Sequence, residues 1–112
     1  MTIQEPLAAL AAALRRLASP ATEQVEYLAG LGVADLVDEL ALEFDDAYRP
    51  RLQLLHDVSP DAESICAEID ALISSDALGW TFADLDSADW AAVRSAAEAA
   101  LAALDRDAEA AR

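Results

Sequence analysis

From Pro6 to Ala18 the large apolar residues are Leu7, Leu10, Leu14 and Leu17, at the three- and four-residue steps of one helical stripe. Arg15 and Arg16 fall in the last turn, where positive charge meets the negative pole of a helix. Ser19-Pro20 predicts a stop and a restart, because proline disfavours helical backbone before it while a serine hydroxyl suits an N-cap and proline a first helical position. Val25, Leu28 and Ala29 then supply an apolar face and Glu23 and Glu26 a polar one, fading through Gly30, Leu31 and Gly32, with Gly32 as a left-handed cap.

The segment Ala34 to Leu55 carries both large apolar side chains and dense charge, and the other helices are expected to pack on it. Leu36, Val37, Leu40, Ala41, Phe44 and Tyr48 share one side of a helix over Ala34 to Tyr48; Asp35, Asp38, Glu39, Glu43, Asp45 and Asp46 lie largely on the other. Pro50 predicts a kink near Arg49 and Arg51, after which Leu52, Leu54 and Leu55 return to the core. Ser59-Pro60 repeats the cap-and-start device before an apolar face of Ala62, Ile65, Cys66, Ile69, Leu72 and Ile73.

Two readings fit the next stretch. Trp80, Phe82 and Leu85 form either a core strap or an exposed aromatic anchor rimmed by Asp84 and Asp86. Asp86 or Ser87 caps a last helix with an inner stripe of Trp90, Val93, Ala97, Leu101 and Leu104. Arg94 and Glu98 sit at pairing distance on that helix, and beyond Leu104 only alanines remain to anchor the chain, so its end is expected to fray. Together these segments predict one all-α domain over residues 1–112, a compact bundle of four principal helices plus a short helix or strap near residues 80–85.

Composition changes the energetic picture. The chain is 55 % hydrophobic, but 28 of its 112 residues are alanine, so the core must come mainly from Leu, Ile, Val and a few aromatics. The net charge is -15, from 22 acids against seven arginines and no lysine. Nothing positive lies between Arg51 and Arg94, while nine acids occur from Asp57 to Asp89. Such a surface disfavours direct contact with nucleic acid or an anionic membrane and suits a basic protein partner; it also maintains solubility without any partner. Cys66 stands alone, no N-terminal run resembles a secretory signal, and no apolar run is long enough to cross a bilayer, so a cytoplasmic protein is expected.

Chemistry adds little. His56 and Cys66 are ten residues apart, with Cys66 on an inward stripe, which favours a buried small apolar thiol over a nucleophile. There is no His-Glu-x-x-His or cysteine cluster, and Asp76, Asp84, Asp86 and Asp89 lack the spacing and central glycine of a calcium loop. No catalytic, cofactor or metal residue is predicted. The predicted surface is a protein interface of Asp35, Glu39, Glu43, Asp46, Trp80, Phe82, Asp84 and Asp86, on a domain that engages a basic protein as an inhibitor, immunity protein or antitoxin would. Glu39, Glu43 and Asp46 crowd like charges on one side, so neutralising Glu39 and Glu43 is expected to leave folding intact or improve it. The alternative is a structural module that meets a second copy through Leu7, Leu10, Leu14 and Leu17.

Overall fold

A computed structural model describes residues 5–32 and 37–110. A single 3-10 turn (Glu5–Leu7) leads into α1 (Ala8–Ala18), followed by α2 (Ala21–Gly30), α3 (Asp38–Tyr48), α4 (Leu52–Val58), α5 (Pro60–Ile73) and α6 (Ala88–Ala110). A second 3-10 turn (Arg49–Arg51) joins α3 to α4, and a third (Ala83–Asp86) precedes α6. The architecture is all-α, with five major helices and no strand among the described residues.

At ~1.5 Å per residue α6 is roughly 34 Å long. That exceeds either short dimension of the molecule, 26 and 22 Å, so α6 spans it and acts as the backrest of the bundle. The most extensive helix pairings are α5 on α6 and α1 on α6. The inner face of α6 explains why: Ala97, Ala100, Ala103 and Ala108 are buried there, and small side chains let neighbouring helices approach closely. The leucine stripe of α1 fills the resulting space, with Leu7, Leu10, Leu14 and Leu17 all at 0 % exposure. The stripe is thus part of the core of the single chain.

On α3 the predicted face is in place: Val37, Leu40, Ala41, Phe44 and Tyr48 are buried, and the Phe44 and Tyr48 rings stack at 5.1 Å. Leu36 and Asp35 lie outside the described residues. Pro50 breaks the helix as expected, and Arg51 ties the break to the start of α1 by donating to the carbonyls of Ala47 and Pro6. Gly32 ends α2 in the left-handed conformation, with φ 75°.

The two Ser-Pro pairs behave differently. Ser59 caps α5, accepting from the Ala62 N–H, with Pro60 at the first helical position. Ser19 does not cap α2: its hydroxyl donates to the Arg16 carbonyl at 2.6 Å and finishes α1 instead. The fully buried Gln24 amide completes that end by donating to the carbonyls of Arg16 and Leu17. Ser87 caps α6 by accepting from the Trp90 N–H. Arg94 turns away from Glu98 and donates to the Leu85 carbonyl at 2.6 Å, which props the last 3-10 turn against α6.

Contrary to the expected fraying, α6 continues to Ala110. Three contacts carry it past Leu104: Ala108 is buried, the buried Ser59 hydroxyl donates to Asp107, and Arg106 reaches Asp61 at 2.8 Å. Leu101, expected on the inner stripe, is half-buried, and Ala100 and Ala103 take the inward positions.

Replacing Phe44 with alanine should cost about 3–5 kcal/mol and Leu40 with alanine about 2–5 kcal/mol, from lost burial and residual cavities. Urea denaturation measures both, and losses below about 0.5 kcal/mol, the scale of an ordinary surface change, would show that the α3 face is not core. A second prediction concerns acid. Hydrogen bonds from Arg106 and then Ser59 hold the Asp107 carboxyl below its usual range. A lowered carboxylate stabilises the fold above the ordinary Asp range, and that contribution is lost as pH falls through the lowered folded value. The gap in urea midpoint between the native protein and Asp107→Asn should therefore be widest at neutral pH and shrink towards about pH 3. A gap of equal size at both ends would sink this account of the α5–α6 clasp.

Candidate functional site

The acidic ridge on α3 is less bare than its spacing implies. Glu43 is half-buried and accepts from Arg16 Nε at 3.0 Å and from the Tyr27 hydroxyl. The Arg16 guanidinium lies 3.7 Å above the Tyr27 ring, so one arginine, one phenol and one carboxylate join α1, α2 and α3. Donation to Glu43 is the main reason that the Tyr27 hydroxyl holds its proton above the usual range. Next to it, Asp45 is bound by Arg49 at 2.7 Å, and the same guanidinium reaches Asp70 on α5 at 2.9 Å. Of the predicted ridge, Asp46 is exposed and Glu39 half-exposed, whereas Glu43 serves as an internal strut.

The aromatic segment divides between the two readings. Leu85 and Trp90 are core, and Trp90 Nε1 donates to the Gly79 carbonyl at 2.7 Å. Trp80 packs edge-on against Trp90 at 5.7 Å yet remains 37 % exposed, and Phe82 is half-buried. Asp84 accepts from the Thr81 N–H at 3.0 Å and hydroxyl at 2.8 Å; these bonds hold its carboxyl below the usual range and make it the staple of the turn. A Cβ at Gly79 would lie 2.3 Å from the Asp84 carboxylate, so a larger residue there would push that side chain away from Thr81. Asp86 stays exposed.

Helix α2 links the two regions. One of its sides, with Glu23, Glu26 and Tyr27, faces Arg15 and Arg16 of α1 across a shallow groove of about 550 Å³. Its other side, with Ala21, Thr22, Val25 and Glu26, faces Phe82 and Asp86 across a groove of about 330 Å³. Glu26 borders both. Sequence spacing placed no site residue on α2, since its nearness to the Phe82 turn arises only from the tertiary fold.

No family model matches the chain, and neither a curated protein nor a solved structure matches it. Cys66 is fully buried and its thiol is pushed up to about 12, first by burial and then by Glu63. A thiol so placed is a poor nucleophile, and His56 is exposed on α4. Among the described residues no group of three or more His, Cys, Asp or Glu is arranged to hold a metal, and no helix is long and apolar enough to cross a membrane.

The contacts of Glu43 alter the expected effect of neutralising the ridge. Glu43→Gln should destabilise by about 0.5–1 kcal/mol through loss of a half-exposed ion pair and a charge-assisted hydrogen bond. Glu39→Gln should stay within about 0.5 kcal/mol of the native protein or stabilise it slightly. Urea midpoints decide the matter, and equal effects of the two changes would mean that Glu43 is not a strut.

Proposed function

We propose that this domain binds a basic protein partner, in the manner of an inhibitor, immunity protein or antitoxin. The observation that supports this reading most directly is how the arginines are used. Arg16, Arg49 and Arg106 are bound to carboxylates of the chain, and Arg51 and Arg94 to backbone carbonyls. Exposed acids such as Asp38, Asp46, Glu68, Asp76, Asp86 and Asp89 have no ion pair among the described residues. Five of the six described arginines thus hold parts of the chain together, with Arg15 exposed, while the net charge of the chain is -15.

A field of that sign steers cationic proteins towards the surface and repels nucleic acid and anionic lipid. A cytoplasmic setting belongs to the same reading, supported by a lone cysteine kept as a buried thiol.

A tagged full-length chain used as bait in its native host, washed in rising salt, should retain a basic protein in stoichiometric amount. Its affinity should fall roughly tenfold or more between low salt and ~0.15 M, as the Debye length shortens to about 8 Å. Recovery of the bait alone, as an assembly that resists salt, would overturn the reading.

A further inference from the structure

We propose that the groove between α2 and the Ala83–Asp86 turn is the docking point for that partner, and that it takes a segment in which a bulky apolar side chain is flanked by Arg or Lys. This deepens the basic-partner reading and rests on it.

The walls of the surface grooves separate this one from the others. The α1–α2 groove contains Arg15 and Arg16, and the α1–α3 groove contains Arg16 and Arg51. The α5–α6 groove contains Arg106, and the groove beside Leu42 contains Arg49. In these last two an ion pair already spans the wall, Arg106 with Asp61 and Arg49 with Asp45 and Asp70. The groove between α2 and the turn has two acids, Glu26 and Asp86, and no arginine. Arg94 follows the turn in sequence, but it points its guanidinium at the Leu85 carbonyl. An incoming cation therefore meets, on both rims, carboxylates that are in no ion pair among the described residues.

The floor supplies the second half of the match. Ala21, Val25 and Phe82 are half-buried and packed against the core, so an apolar side chain entering here extends an existing hydrophobic cluster. A volume of about 330 Å³ lies at the small end of ligand clefts and suits a single anchoring side chain with its neighbours. Burial of one such residue inside a charged rim is the arrangement of an interface hot spot. Glu23 lies one turn before Glu26 on α2, and Asp84 and Asp89 flank Asp86 along the chain, which continues the negative field past both rims.

Two short synthetic peptides of equal positive charge test the proposal against the isotope-labelled full chain in ~0.15 M salt. One carries a central leucine flanked by arginines; in the other, serine replaces the leucine. The leucine peptide should bind about tenfold more tightly, and its amide shift changes should centre on Thr22, Val25, Glu26, Phe82 and Asp86. Glu26→Gln with Asp86→Asn should weaken it by about tenfold, and Glu39→Gln with Asp46→Asn by less than about threefold. All four positions are surface carboxylates outside the core, and urea midpoints verify that each double variant is folded. Equal affinity of the two peptides, or shift changes centred on α3, would overturn the groove while leaving a basic partner in place. Failure of both peptides alongside a salt-released basic protein from the bait experiment would likewise sink the groove alone. Failure of both experiments would sink the groove and the reading beneath it.

Discussion

Everything in this fold depends on how closely α1 and α5 approach α6 across alanine. A chain that is one quarter alanine has few large apolar side chains to distribute, and each alanine buries little surface. The inward alanines of α6 turn that shortage into close helix contact, and Leu7, Leu10, Leu14 and Leu17 occupy the space that remains. Hydrophobic stabilisation is therefore concentrated in a dozen fully buried large side chains, with Trp90 and Phe44 the largest. The same shortage governs the surface. Leu31, Leu42 and Trp80 are the large apolar residues left exposed among the described ones, so a partner of the proposed kind would meet mainly charge, with only a few apolar anchors.

Arginine performs the converse role. Five of the six described arginines connect parts of the chain: Arg16 joins α1 to α3, Arg49 joins α3 to α5, Arg51 joins the Pro50 break to the start of α1, Arg94 holds the last turn, and Arg106 clasps α5. A guanidinium suits this work because its planar fork of donors serves carboxylates and carbonyls alike and stays charged under all ordinary conditions. Most of the described positive charge is thus engaged in contacts within the chain, while many exposed acids have no ion pair among the described residues.

Much of this was legible in the sequence, where local rules and tertiary demands agree. The leucine stripe of α1, the apolar side of α3, the break at Pro50, the Ser59-Pro60 cap and the all-α architecture follow from periodicity and capping chemistry. Ser19 was misread because its hydroxyl had two helix ends within reach and the preceding one claimed it. The persistence of α6 past Leu104 was hidden for another reason: the Ser59–Asp107 bond joins residues 48 apart, and the Arg106–Asp61 pair joins residues 45 apart. The acidic ridge shows both sides. Its spacing is plain in the sequence, but its partial neutralisation by Arg16, 27 residues away, is not. The groove against Phe82 had no local signature, since Val25 and Glu26 read as ordinary faces of a short helix.

On the proposed reading, steering and anchoring fall to different parts of the surface. Exposed acids far from any groove, such as Asp46 and Glu68, contribute to a field that accelerates encounter, and charges of that kind act chiefly on association rates. Glu26 and Asp86, at the rim of an apolar floor, would by the same reading slow dissociation once a side chain has entered. Salt separates binding from folding as well. Self-repulsion at a net charge of -15 opposes the compact state, so screening relieves the fold while it weakens a cationic partner's hold. The five arginine struts are local contacts and lose less to screening than charges separated by more than a Debye length. Release of a proposed cationic partner by salt would thus report lost attraction between surfaces rather than lost folding of this chain, whose long-range self-repulsion the same salt relieves.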